Sequence, residues 1–440
     1  MYTIKGKYSS AHVMTDEDTI DEMEYKQILN FVNCHVFTND SIIMPDYHYG
    51  KGAVIGFTMK LTDKIIPNIV GVDIGCNMLL VYLNKLFDID ESAWLSLGRK
   101  IRKTIPMARE YNKEAKLDFD RQFPWIIFSS SMRQDMVNFN KHLGIERQYA
   151  DYNSKWFYEL CERVNCKPVT AVNSIGSLGG GNHFIEFGES SKKNKTVVTV
   201  HAGSRNLGLK VANYWQKVAK EQLVKRYRVD FENTIKEIKD NNPPEKWNTL
   251  IKAAKNPPTP TGLEYLEGDN MLSYLYEMYF CQSYAYENVL VMMSSILEVL
   301  NQPVALLKEA IHTVHNYVNF EDLIIRKGAV SSYNGQKMII PFNMEDGLLV
   351  CEGKSNPEWN FSAPHGAGRL FGRKEIKRSG KIDMDVIKER MKSKGSHISI
   401  VPMDEVKEAY KDPKFIEDSI APTAEIVDRV RPILTLKADD

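Results

Sequence analysis

Five short segments of the 440-residue chain concentrate side chains that bind metals or phosphates. Asp73-Ile-Gly-Cys76 puts a carboxylate and a thiol three residues apart, where a tight loop can turn both to one point. Gly179-Gly-Gly-Asn182-His183-Phe-Ile-Glu186, His201-Ala-Gly-Ser204-Arg205, His312-Thr-Val-His315-Asn316 and His365-Gly366-Ala367-Gly368-Arg369 each set histidine beside glycine or asparagine. Carboxylate, thiolate and imidazole together suit a divalent transition metal such as Mn, Fe, Co or Zn; magnesium or calcium would need neither sulfur nor imidazole. A thiolate can bridge two ions, and ions about 3.5–4 Å apart are typical of phosphoryl-transfer sites. The glycines let backbone N–H groups approach an anion, and Arg205 and Arg369 can make bidentate phosphate contacts. Taken singly each residue is weak evidence: a lone histidine is more often structural, and a buried cysteine is usually a small hydrophobe. The repetition carries the reading. His12, His35, His142 and His397 lack such a setting, and His48, in Asp-Tyr-His-Tyr-Gly-Lys-Gly, lies between the cases.

Elements must hold these loops in place. SIIMPDYHYGKGAVIGFTMKL and NIVGVDIGCNMLLVYL both read as apolar run, tight loop, apolar run, which predicts strand–loop–strand. Residues 88–165 read as mainly helical. Thr196 to Val200 is a buried strand ending in the His201 loop, and a long helix follows from Leu209. Pro243, Pro244, Pro257, Pro258 and Pro260 predict an irregular stretch. From Asp269 a long helix is expected, with Met271, Leu275, Met278, Ala285, Val289, Met292, Ile296 and Val299 on one core-facing side. Residues 310–370 return to short strands and glycine-rich loops, and RPILTLKADD ends the chain with one short strand. The expectation is one large α+β domain over residues 1–440, with mixed sheets flanked by helices, the site on Gly/His-rich loops, and a helical, Pro-rich insertion at about 206–270.

Composition narrows the class. Hydrophobic residues are 43% and charged residues 26%, which excludes a disordered or fibrous chain. Lys+Arg and Asp+Glu are both 57, so bulk charge does not coat nucleic acid. Six scattered cysteines without a C-x-x-C pair exclude a zinc ribbon and a disulfide scaffold. No apolar run approaches the roughly 18 residues of a membrane span, and no signal peptide is visible, so a cytoplasmic location with no membrane partner is expected. There is no phosphate-binding G-x-x-x-x-G-K-[ST] loop and no K-x-D-G adenylation motif; a nucleotide, if used, is held differently.

Taken together, MPDYHYGKGAVIG, VGVDIGCNM, SLGGGNHFIE, HAGSRNLG, HNYV, RKGA, SAPHGAGR, AYKD and the terminal LK resemble the RtcB family of GTP-dependent RNA ligases, in family order from residue 44 to residue 437. The resemblance implies two Mn²⁺ ions held by Asp73, Cys76, His183, His201 and His315, with Cys76 shared between them. It implies that His365 is the residue linked covalently to GMP and that Asp46 orients it. Asn182, Glu186, Asn316, Gly366, Ala367, Gly368, Tyr410 and Lys437 would contact the nucleotide, and Arg205 and Arg369 phosphate or RNA. The implied reaction joins RNA 3′-phosphate or 2′,3′-cyclic phosphate ends to 5′-hydroxyl ends, using GTP, in RNA repair or tRNA splicing. An activating protein of the archease kind is a candidate partner.

The sequence also departs from the family pattern. The common D-V-H-P-G-K-G is D-Y-H-Y-G-K-G here, P-G-S-M is Pro341-Phe342-Asn343-Met344 followed by Glu345 and Asp346, and Leu348 and Gly372 replace polar residues. Two rival readings follow: an enzyme that caps RNA 3′ ends with GMP but joins weakly, and a non-catalytic RNA-binding scaffold with a relic site. The altered Pro341 segment motivates the first. The intact metal and nucleophile positions argue against the second.

Overall fold

The computed structural model describes residues 1–16, 19–255, 262–372, 376, 383–398 and 400–438. Two mixed sheets flank one long helix. The first sheet runs Tyr2–Lys5, Ser10–Val13, Ser41–His48, Ile55–Lys60, Ile324–Lys327, Tyr317–Asn319, edge to edge. Its only parallel pair among these is Ser10–Val13 with Ser41–His48. The second runs Ile311–Val314, Asn77–Tyr82, Thr196–Ala202, Phe184–Ser190, Ala424–Leu436, Gly347–Gly353, Lys337–Asn343, with His397–Ile398 parallel to Ala424–Leu436.

The second sheet is covered on both faces, as its near-continuous apolar strands require. Side chains alternate along a strand with period two. Leu79, Val81, Val198 and Val200 therefore turn to the long helix Gly268–Val299, where Val289, Met292 and Ile296 meet them. Met78, Leu80 and Val197 turn the other way, against Ile339, Leu348 and Val350. The first half of the same helix, including Met271, Leu275 and Met278, belongs to the core of the first sheet. The expected Met-rich face is thus core packing; each such side chain contributes about 1.5–3 kcal/mol by leaving water.

That helix also carries a buried polar clasp. Asn288 accepts from the Gly176 N–H at 2.8 Å and the Ser177 N–H at 3.2 Å. Its amide donates to the carbonyls of Ser177 at 3.2 Å and Gly203 at 3.1 Å. One side chain thereby fixes two loops that approach the site, Ser174–Gly179 and Ala202–Ser204.

Three expectations need correction. The first arm of NIVGVDIGCNMLLVYL is a helical turn, Pro67–Val70, and only Asn77–Tyr82 is a strand; Pro67 at the first helical position pre-sets that turn. Half of the expected irregular stretch is a helix, Pro244–Ala253, again opened by proline at its first position; Pro257, Pro258 and Pro260 lie outside the described residues. The last strand is long, Ala424–Leu436. Pro432 does not end it, because the register shifts there as the strand leaves Gly347–Gly353 and continues along Phe184–Ser190.

Asn288→Ala should lower stability well beyond a surface substitution, at about 1–3 kcal/mol for each backbone group left without a partner. Denaturant unfolding beside an exposed control, Asn241→Ala, measures it.

Candidate active site

The site lies where the two sheets meet. Asp73 and Cys76 sit on the turn before strand Asn77–Tyr82, closed by the Cys76 N–H on the Asp73 carbonyl at 3.2 Å. Gly75 has φ +68°, and a Cβ there would stand 2.6 Å from the Cα of Gln282 on the long helix. Only glycine lets the turn rest on that helix. The His315 segment docks on the same turn: the Gly75 N–H donates to the Asn316 carbonyl and the His315 N–H to the Cys76 carbonyl, both at 2.9 Å. His201 ends strand Thr196–Ala202, opposite Met78 on one side and Phe184 on the other, so His183, next to Phe184, is delivered to the same place. At Gly203 a Cβ would fall 2.0 Å from Asp73 Oδ1, so bare backbone is needed behind the carboxylate.

The donor atoms converge. Cys76 Sγ is 3.2 Å from His201 Nε2 and 3.5 Å from His183 Nε2. His183 Nε2 is 2.9 Å from Asp73 Oδ2, and His201 Nε2 is 3.3 Å from His315 Nε2. Cys76, His201 and His315 form one group with metal-ligand spacing, and Asp73, Cys76 and His183 another; Cys76 belongs to both. Burial holds His201 and His315 well below the usual imidazole range, and neighbouring histidines add to it. Burial, then the charge of Asp73, pushes the Cys76 thiol far up. Burial works against the Asp73 carboxylate too, yet its hydrogen bond to His183 holds it below its ordinary value. Buried imidazoles held neutral at His201 and His315, beside a carboxylate and a thiol destabilised as an anion, suit divalent cations. The residues fit the implied metals.

His365 stands beside this cluster, its ring centroid 4.9 Å from that of His315. Asp46, on strand Ser41–His48, takes three donors on one oxygen: His365 Nδ1 at 2.7 Å, the His365 N–H at 3.1 Å and the Gly366 N–H at 3.2 Å. Gly368 has φ +75°, and a Cβ there would meet the Asp46 carbonyl at 2.3 Å. Lys411 closes this contact from behind. Its ammonium donates to the carbonyls of Pro45 at 3.0 Å and Tyr47 at 2.8 Å, either side of Asp46, and its N–H donates to the Gly368 carbonyl at 3.0 Å. Burial pushes Lys411 down to about 8.

A cleft of about 690 Å³ runs from Cys76, His201 and His315 past His365 to a polar end at Glu186 and Lys437. Glu186 accepts from Thr435 Oγ1 at 3.0 Å. Burial raises it to about 7, against the pull of Thr435 and Lys437. Lys437 Nζ lies 3.1 Å from Glu405 Oε2 and donates to the Asn182 carbonyl at 3.3 Å. Glu405 also pairs with Arg369 at 3.2 Å and accepts from the Tyr410 hydroxyl at 2.6 Å.

The cleft lining thus includes Asp73, Cys76, His201, His315 and His365, with Asn182, Glu186, Asn316, Gly366, Ala367, Gly368, Arg369, Tyr410 and Lys437. His183 stands behind Asp73, and Asp46 behind His365. Arg205 does not line it: the guanidinium turns to Ser177 Oγ at 3.0 Å and the Ala108 carbonyl at 3.0 Å. Arg369 lines it but is committed to Glu405 and to the Asp404 carbonyl at 2.6 Å. Sequence reasoning missed Glu405, Thr435 and Lys411. Thr435 had a signal, since it alternates with Leu434 and Leu436 two residues before Lys437, which puts both polar side chains on one strand face. Glu405 had none: nothing in its neighbours announces that it gathers Lys437, Arg369 and Tyr410.

The chain is similar to known proteins over nearly its whole length. The family model described as tRNA-splicing ligase RtcB matches residues 27–438. Similar proteins include the RNA-splicing ligase RtcB of Escherichia coli (strain K12), 25% identical over 94% of this chain and 93% of the relative. The tRNA-splicing ligase RtcB of Aeropyrum pernix is 25% identical over 96% and 94%, and that of Nanoarchaeum equitans 24% identical over 90% and 87%. Among the described residues, no helix is long and apolar enough to cross a membrane. With its donor cluster, its His365–Asp46 pair and a family match over nearly its whole length, the chain belongs to the RtcB family of RNA-splicing ligases.

Proposed function

We propose that the chain is a GTP- and Mn²⁺-dependent ligase that joins RNA 3′-phosphate or 2′,3′-cyclic phosphate ends to 5′-hydroxyl ends. The observation that carries this is the His365–Asp46 pair beside two donor groups sharing Cys76. Asp46 Oδ2 engages Nδ1, so the imidazole proton sits there and the Nε2 lone pair is available as a nucleophile. Nε2 attacks the α-phosphorus of GTP; the bond to the β-phosphate oxygen breaks and pyrophosphate leaves. The phosphoramidate then passes GMP to an oxygen of the RNA 3′-phosphate. The 5′-hydroxyl attacks that 3′-phosphorus, a P–O bond forms, and GMP departs. A cyclic phosphate is opened to the 3′-phosphate beforehand. Bound ions at Asp73, Cys76, His183, His201 and His315 would neutralise charge on the leaving pyrophosphate.

Guanine selection follows from the polar end of the cleft. The Lys437 ammonium donates to O6, and the Glu186 carboxylate accepts from N1 and N2. Adenine inverts that pattern and would leave buried groups unpaired, at about 1–3 kcal/mol each.

Incubation with α-labelled GTP and Mn²⁺, followed by denaturing electrophoresis, tests the reading. Label should attach to the wild-type chain and not to His365→Ala. The variant should keep its metal and still seal RNA that already carries a 3′-GMP cap. Loss of metal, or failure on capped RNA that the wild type seals, removes His365 from the nucleophile's role.

Glu186 sets a pH dependence. With its carboxyl near 7, the charged form needed for guanine is depleted as pH falls. GMP affinity should drop about tenfold from pH 8 to pH 6 in calorimetric titration. Glu186→Gln should bind more weakly at pH 8 and lose that slope; a variant that keeps the slope points to another group.

A further inference from the structure

Pro341–Asp346, one of the segments that depart from the family pattern, covers the end of strand Lys337–Asn343 and the turn into Gly347–Gly353. Asn343 shapes the turn: its Oδ1 accepts from the N–H groups of Glu345 at 2.9 Å and Asp346 at 3.0 Å, and its amide donates to Asp346 Oδ2 at 2.8 Å. Gly347, at φ +73°, closes it where a Cβ would meet the Val430 carbonyl at 2.1 Å. One side of the turn borders the catalytic cleft through Pro341, Phe342, Asn343, Met344 and Gly347. The Pro341 carbonyl lies 3.2 Å from where a Cβ on Gly366 would stand, so the turn also abuts the His365 loop.

Two unusual acids tie the turn from outside. Glu345, 7% exposed, takes a forked contact from Arg390, at 2.5 Å from Nη2 and 2.9 Å from Nε, and a third contact from Lys394 at 3.1 Å. Asp346 pairs with Lys407 at 2.9 Å. Arg390 and Lys394 belong to helix Met384–Ser393 and its end, and Met344 packs on Ile387 and Met391 of that helix. Arg390 reaches Glu408 as well, at 2.8 Å, two residues before the cleft residue Tyr410. One guanidinium therefore joins two walls of the cleft. A fork on a buried carboxylate fixes direction as well as distance. Behind the turn lies a second cavity of about 650 Å³. Its cations Lys394, Lys407, Lys414, Arg429 and Arg431 are each already paired with a carboxylate.

We propose that Glu345, acting through Arg390 and Lys394, is a positioning residue for nucleotide binding that holds the 341–347 turn as one wall of the cleft. The inference rests on reading the cleft as a GTP site. Glu345 touches no reacting atom, so its loss removes binding that ground state and transition state share, and the effect falls on KM rather than kcat.

The test uses Glu345→Gln, Arg390→Ala and the double variant of the full chain. Calorimetry gives the Kd of GMP, and labelled GTP gives KM and kcat of GMP attachment. Each single variant should weaken GMP binding and raise KM for GTP roughly five- to thirtyfold, with kcat held. The double variant should lose less than the two single losses combined, because the two residues share the forked contact while Lys394 and Glu408 are each reached by only one of them. Wild-type affinity in either single variant overturns the proposal. So does a loss confined to kcat, an additive double variant, or loss of the cooperative thermal transition, which would make the pair merely structural. If the wild-type chain itself neither binds GMP nor takes up label, the GTP reading fails; if it does both and the variants match it, only this inference fails.

Discussion

A thiol and three imidazoles are buried at one point, beside a carboxylate that opens on the cleft. Burying such groups costs several kcal/mol unless something favourable meets them, and most of the local architecture follows from that constraint. The turn Asp73–Cys76 rests on the long helix at Gly75, the backbone at Gly203 sits hard behind Asp73, and the His315 segment docks by reciprocal backbone hydrogen bonds. The helix and backbone hydrogen-bond contacts leave the donor atoms untouched, and only the Gly203 backbone packs against one of them, the Asp73 carboxylate. They hold the donors in place while leaving their lone pairs facing inward, the arrangement expected of preorganised ligands.

The second constraint is the join between the sheets. Asp46 belongs to the first sheet, and Glu186 and His201 to the second. His365 comes from the loop after strand Ser362–Pro364, outside both. Asp46 binds the side chain of His365 and the backbone of its loop through one oxygen, so proton placement and loop position are set by the same contact. Lys411 stiffens that contact through the carbonyls on either side of Asp46. At the far end, Glu405 gathers Lys437, Arg369 and Tyr410 into one buried network, which explains why Arg369 is committed inside the protein although its sequence setting suggests an open phosphate contact.

The family, the fold class and the loops that meet at the cleft are legible in the sequence. The Gly- and Asn-flanked histidines of four loops, with the Asp73–Cys76 turn, mark Cys76, His183, His201, His315 and His365 as candidates, and the family resemblance supplies their separate roles. The buried strand at Thr196 and the long helix from Asp269 followed from apolar runs and helical periodicity. Pro67 and Pro244 misled because proline both breaks helices and opens them, and Pro432 hid a strand that changes partners. Glu405 and the ion pairs of Glu345 were invisible, since contacts between distant segments leave no local signal.

The most direct measurement is the metal stoichiometry. Metal-free chain titrated with Mn²⁺, with free ion followed by electron paramagnetic resonance, should bind two ions per chain. Cys76→Ser should bind neither tightly, because a neutral hydroxyl is a poor bridging ligand. A single ion in the wild type, or two tight ions in Cys76→Ser, would contradict a site built around a shared thiolate.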